Sequence, residues 1–177
     1  MRIYLVRHGE KEPEGENPHL TKKGIRQSKR LAKKLKKIKF DKIYSSNLNR
    51  TMETAEIVSK KLKLRPIHEP LLKEFETDIF RTTKNKWKKE EKIQYKKLIL
   101  FINNLTKDKT KKKYILVIAH GFVNRIIMSY LLKMPLKRFI IFKQDETCLN
   151  ILKWREKYGN WQLEKMNDNS HVPRRLR

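Results

Sequence analysis

Apolar positions along the chain follow two alternating rhythms. Ile3 to Val6 is an unbroken apolar run of strand length, and such runs mark strands that are covered on both faces. Tyr114 to Ala119 is a second such run, and Phe40 to Tyr44 and the short Leu64 to Ile67 are further strand candidates. Between them the spacing turns helical. Ile25, Leu31, Ala32, Leu35 and Ile38 recur at roughly helical spacing behind Thr21, whose hydroxyl can cap a helix. Leu48, Met52, Ala55, Val58 and Leu62 line one face of a second helix, expected over Asn47 to Leu62. Trp87, Tyr95, Leu98, Ile99, Ile102 and Leu105 do the same for a third over Asn85 to Leu105, and Phe122 to Leu132 makes a fourth. After Pro135 breaks the chain, Thr147 to Trp154 and Trp161 to Met166 flank Tyr158-Gly159-Asn160 as the two strands of a hairpin. Strands and helices in alternation predict an α/β fold, a three-layer α/β/α sandwich with a mostly parallel central sheet. A single domain is expected over residues 1–171, followed by a mobile basic tail at 172–177.

Length and charge refine this picture. A chain of 177 residues can bury a substantial single core. With 45 Lys plus Arg against 19 Asp plus Glu, the formal charge is +26, which raises nucleic acid or an anionic surface as a partner. Lys33, Lys34, Lys36 and Lys37 fall on polar positions of a predicted helix, so a solvated face outweighs nucleic-acid binding; no zinc-ligand spacing or RNA-binding aromatic signature accompanies them. Cys148 stands alone, which gives no intrachain disulfide and suits a reducing compartment. No signal-peptide pattern opens the sequence and no apolar run reaches membrane-spanning length, so a cytoplasmic protein without a membrane partner is expected.

The chemistry gathers where strands stop. Arg7-His8-Gly9-Glu10 ends the first strand and His120-Gly121 ends the fourth, and in open α/β sheets ligands bind outside the carboxyl ends of strands. Arg50 falls in the first turn of the second helix, where amides and a guanidinium together favour an anion. A loop with Pro13, Gly15 and Pro18 lies between the first strand and its helix.

Taken in order, Leu5-Val6-Arg7-His8-Gly9-Glu10, Leu20-Thr21 with Gly24 and Gln27, Ser45-Ser46, Leu48, Arg50, Thr54-Ala55 and Ala119-His120-Gly121 resemble the histidine phosphatase superfamily, which includes the cofactor-dependent phosphoglycerate mutases. The resemblance implies that His8 becomes transiently phosphorylated, while Arg7, Arg50 and His120 surround the phosphate. It places the proton donor in Leu72-Lys73-Glu74, at Glu74; the residues after it depart from the family pattern, and Glu76 and Asp78 remain alternatives. Lys11 and Glu14 stand where the family has threonine and asparagine, so Asn17 is a candidate substitute in substrate binding, together with Gly121. Asn167 to His171 resembles a common family terminus, with His171 assigned a structural role.

A metal-independent phosphatase acting on a phosphomonoester through a phosphohistidine is therefore the expected function, with a phosphorylated small molecule or a phosphoprotein as substrate. Guanidinium groups neutralise phosphate oxygens without help, so neither a cofactor nor a metal is called for. Phosphoglycerate mutase-type transfer and phosphohistidine protein phosphatase activity are the alternatives within enzymes. From another class, the chain could be a basic nucleic-acid-binding protein on a phosphatase-like scaffold.

Overall fold

In a computed structural model, which describes residues 1–75 and 87–177, β1 (Arg2–Arg7) runs through the middle of a six-stranded sheet. The other strands are β2 (Lys42–Ser45), β3 (Pro66–His68), β4 (Tyr114–Ala119), β5 (Leu149–Arg155) and β6 (Asn160–Asp168), in the order β3-β2-β4-β1-β5-β6. β3, β2, β4 and β1 are mutually parallel, and the β5–β6 hairpin joins β1 antiparallel. Gly159 turns that hairpin with φ +59°, a backbone state that glycine enters without cost from a side chain.

The α-helices among the described residues are α1 (Lys22–Leu35), α2 (Asn49–Leu62), α3 (Lys89–Leu105) and α4 (Gly121–Leu131). Alternate residues of each central strand serve opposite faces. Ile3, Leu5, Ile115 and Val117 pack with Leu98 and Ile102 of α3 and with Val123 and Ile127 of α4. Tyr4, Val6, Leu116 and Ile118 pack with Leu31 and Leu35 of α1 and with Ala55 and Val58 of α2. Both faces are covered, which is why the strands read as continuous apolar runs. Each fully buried aliphatic side chain contributes roughly 1.5–3 kcal/mol, so the two cores hold the three layers together. The predicted α/β sandwich is the observed one. Among the described residues, no helix is long and apolar enough to cross a membrane.

Local expectations meet two corrections. α3 begins at Lys89, not at Asn85, because the Glu91 carboxylate reaches back to accept from Lys88 N at 2.8 Å and ends the helix there; Asn85 itself lies outside the described residues. The basic tail is docked. Arg174–Leu176 forms a 3₁₀ turn, Leu176 is buried, and Arg177 Nε donates to Val172 O at 2.9 Å. One buried leucine among arginines is too faint a pattern to predict such an anchor.

Thr21 caps α1 as expected, its hydroxyl accepting from Gly24 N at 2.9 Å. The first turn of α1 is pressed against the loop that leaves β1. A Cβ on Gly24 would stand 2.0 Å from Glu10 O, and one on Gly9 would stand 2.6 Å from Gly24 O. Gln27 continues the seam: its Oε1 accepts from Glu10 N and its Nε2 donates to Leu176 O, each at 2.8 Å. Helix propensity alone favours alanine over glycine by about 1 kcal/mol, whereas crowding backbone against backbone costs roughly 1–3 kcal/mol or more. Gly24→Ala is therefore expected to lower the urea midpoint at unchanged m-value; a midpoint at or above the parent's would show that the seam has room to yield.

Candidate active site

Three parallel strands end side by side, and the polar residues just beyond them form the site. The ladder runs past the strands: His8 N donates to Ala119 O and Ser46 N to Ile118 O, each at 3.1 Å. His8, Ser46 and His120 are thereby set at adjacent strand ends. The two imidazoles meet with ring centroids 5.2 Å apart and planes at 63°.

His8 is held in one tautomer. Its Nδ1 lies 2.7 Å from Gly9 O, which can only accept, so Nδ1 carries the proton and Nε2 presents a lone pair. That lone pair accepts from Arg50 Nε at 3.3 Å. Burial, with the Arg7 and Arg50 charges nearby, lowers the His8 pKa to about 3 even though the Gly9 carbonyl opposes the shift. His120 is driven down too, first by burial and then by His8 and the two arginines. Both rings are neutral at neutral pH.

The cations come from three elements. Arg7 ends β1; its Nη1 donates to Gln144 O at 2.7 Å and its Nη2 meets Glu146 Oε1 at 3.2 Å. Arg50 is buried in the first turn of α2. Arg125, on α4, donates from Nε to Phe142 O at 2.8 Å. Both Arg125 Nη1 and Arg7 Nε approach Gly121, where a Cβ would meet each at 3.9 Å, an ordinary contact. Arg7 Nε and His120 Nδ1 are buried without a hydrogen-bond partner among the described residues. Buried polar atoms in folded proteins are nearly always paired, and Arg7 Nε, which can only donate, calls for an acceptor.

Glu74 follows the 3₁₀ turn Pro70–Leu72, between the buried side chains of Leu72 and Phe75. Its Oε1 accepts from Phe75 N at 3.3 Å and its Oε2 from Phe122 N at 3.4 Å, beside the start of α4. Desolvation raises its pKa to about 6 against the pull of these amides and of Arg50. Such a carboxyl can give and take a proton near neutral pH. Glu76 and Asp78 lie outside the described residues.

The model of the Histidine phosphatase superfamily (branch 1) matches residues 3–99 and 94–169. The chain belongs to this superfamily. Among its curated relatives is "Probable phosphoglycerate mutase GpmB" of Proteus mirabilis, 34% identical over 87 residues, which cover 45% of this chain and 40% of that protein. Another is "Serine/threonine-protein phosphatase Pgam5, mitochondrial" of Drosophila ananassae, 25% identical over 97% of this chain and 64% of that protein. The chain thus spans less than two thirds of the length of either relative. In fold it matches the alpha-ribazole phosphatase of Shigella flexneri with a TM-score of 0.77 at 23% identity, over 96% of this chain and 97% of that one.

Within this histidine phosphatase fold, Arg7, His8, Arg50, Glu74, His120 and Gly121 are brought together. Asn17 is engaged elsewhere, where its Oδ1 accepts from Asn49 N at 3.0 Å and its O accepts from Asn49 Nδ2 at 2.8 Å. It braces the 11–19 loop on the first turn of α2, one residue before Arg50. Four neighbours of the site carried no assigned role in the sequence. Ser46 Oγ lies 2.9 Å from His120 Nε2, Thr54 Oγ1 accepts from Gly9 N at 3.1 Å, and Gln144 and Glu146 hold Arg7. Ser46 and Thr54 lay within the matched motifs, whereas Gln144 and Glu146 reach the site only through the long return from α4 to β5.

The depressed His8 pKa has a consequence for stability. Its unfolded value is about 6.5, so below that pH the unfolded chain takes up a proton that the native site refuses. Stability present above about pH 6.5 is lost as the pH falls toward the folded value of about 3. From this group alone the loss reaches about 2 kcal/mol by pH 5. Urea unfolding at pH 7 and pH 5 should show it, and His8→Asn should remove that share; an equal pH slope in the variant would mean that His8 does not carry it.

Proposed function

We propose that the chain is a phosphomonoesterase that works through a phosphohistidine on His8. The observation that carries this reading is the lock on His8: Nδ1 is tied to Gly9 O, and the Nε2 lone pair is turned into a nest of arginines and a second histidine. A neutral imidazole with a fixed tautomer is a competent nucleophile at neutral pH.

In the first step the Nε2 pair attacks phosphorus and the ester P–O bond breaks. The departing oxygen takes the Glu74 proton. Arg7, Arg50 and the His120 ring hold the phosphoryl oxygens, and the Arg50 donor now on His8 passes to an oxygen as phosphorus approaches. In the second step the Glu74 carboxylate takes a proton from water as the water oxygen attacks phosphorus. The P–N bond breaks, its pair returns to Nε2, and inorganic phosphate leaves. The charge is met by guanidinium groups, so the scheme calls for no metal ion and turnover should persist in chelator.

A second reading transfers the phosphoryl group from His8 to an acceptor alcohol instead of water. The stretch of likeness to the protein named as a mutase favours it. The two readings share the first step and differ in product, free phosphate or a new ester.

Two variants test the scheme. His8→Ala is expected to abolish turnover and the acid-labile phosphoenzyme while the protein stays folded by circular dichroism; unchanged turnover would remove His8 as nucleophile. Glu74→Gln is expected to slow alkyl phosphates at least tenfold more than activated aryl phosphates, because only the poor leaving group needs a proton. In the parent, kcat/KM on alkyl phosphates should decline above about pH 6 as the Glu74 acid is lost. The variant should lack that limb, and comparison on one substrate cancels the substrate's own ionisation. Equal losses on both substrates would assign Glu74 to binding or packing.

A further inference from the structure

Ser46 and His120 lie just beyond the ends of the paired strands β2 and β4, and both are shut off from solvent. The Ser46 backbone is pinned on both sides. Its amide donates to Ile118 O at 3.1 Å, and its carbonyl accepts from Ser45 Oγ and from Thr51 Oγ1, each at 3.1 Å. The hydroxyl is therefore placed by the sheet and by the start of α2. Its Oγ lies 2.9 Å from His120 Nε2 and 3.3 Å from Leu48 N, and these two atoms are its partners among the described residues.

A serine hydroxyl has one proton to give and two lone pairs that accept. The Leu48 amide can only donate, so it occupies a lone pair. Among the described residues, His120 Nε2 is then the acceptor left for the Ser46 proton. If Nε2 carried a proton of its own, the Ser46 hydroxyl would be a buried donor with nothing to receive it, an arrangement that folded proteins avoid. The hydrogen bonds thus put a lone pair on Nε2, and a neutral ring must carry its proton on Nδ1. That Nδ1 is the buried atom without a partner among the described residues, as is Arg7 Nε at the end of the adjacent strand β1.

We infer that Ser46 is a positioning residue: by donating to Nε2 it holds His120 in the Nδ1–H tautomer, so the ring meets a phosphoryl group as a hydrogen-bond donor. Arg7 Nε and His120 Nδ1 then both lack an acceptor, and one anion with several oxygens supplies both. A lone pair on Nδ1 would repel any phosphoryl oxygen that came to it. The two histidines are set from opposite ends. His8 has an acceptor, Gly9 O, at Nδ1 and exposes a lone pair, whereas His120 has a donor at Nε2 and exposes an N–H. The phosphoryl partner rests on the phosphomonoesterase reading of the site; the tautomer does not.

The test is a proton–nitrogen correlation spectrum of the full chain, labelled with nitrogen-15 histidine, at pH 7. The two neutral tautomers give different patterns there, and His120 is assigned by the signals missing in His120→Asn. The parent should show His120 protonated at Nδ1. In Ser46→Ala neither ring nitrogen has a protein partner, so the ring should become a mixture of tautomers. The Kd for inorganic phosphate should rise in that variant by about tenfold, the scale of one hydrogen bond to a charged group. An Nε2–H pattern in the parent would overturn the inference, and so would an unchanged Nδ1–H pattern in Ser46→Ala, whatever its phosphate affinity. A mixture with unchanged phosphate affinity would overturn the donor role. Should Ser46→Ala fail to fold, the parent decides alone: an Nδ1–H signal that moves on adding inorganic phosphate supports the inference, and one that stays still overturns it. If the parent neither binds phosphate nor turns over phenyl phosphate, the phosphomonoesterase reading is what fails, and the tautomers of parent and variant still decide what Ser46 does.

Discussion

The parallel pairing of β1 with β4 is the constraint on which the site depends. Its register, with Val6 opposite Ile118 and Arg7 opposite Ala119, brings two histidines 112 positions apart in the sequence to adjacent strand ends. The next hydrogen bond, from His8 N to Ala119 O, extends the ladder into the site itself, so the imidazoles are placed by backbone rather than by flexible side chains. A slip of one residue would reverse every side chain of β1 between the two cores, and the apolar residues on both faces would not by themselves forbid it. The polar residues at the strand end select the register: Arg7 must reach Gln144 O, and Gly9 must fit beneath Gly24 O.

Desolvation then sets the chemical state. A histidine that packs among arginines stays neutral, and a carboxyl between Leu72 and Phe75 holds its proton to higher pH than in water. The His8 imidazole and the Glu74 carboxyl are thus both shifted toward their neutral forms by the same burial, which acts on a base and an acid in opposite senses. Each guanidinium around them has an acceptor: Gln144 O and Glu146 for Arg7, His8 Nε2 for Arg50, Phe142 O for Arg125.

How much of this could be read from residues alone depends on distance along the chain. The sheet, the four described α-helices and the Thr21 cap are carried by local periodicity and side-chain chemistry, and apart from the start of α3 they follow the pattern. Arg7, His8, Arg50 and His120 were legible because each stands beside a strand end or a helix start, and Glu74 through its resemblance to a family stretch. Gln144 and Glu146 were not. Their segment has neither helical nor strand rhythm, and its tethers are Arg7, His8 and Asn167, none of them close by in sequence except through folding. The docking of residues 174–177 was hidden for the same reason, since its partner is a glutamine on α1.

That glutamine links places that look unrelated. Gln27 accepts from the amide of Glu10, two residues after His8, with one end of its side chain, and with the other it donates to the carbonyl of Leu176. Fraying of the 174–176 turn and loosening of the loop after His8 therefore share an opening event. Hydrogen exchange at the Glu10 amide would follow local unfolding of the distant 174–176 turn, so the loop next to His8 keeps time with a segment that lies almost the whole sequence away.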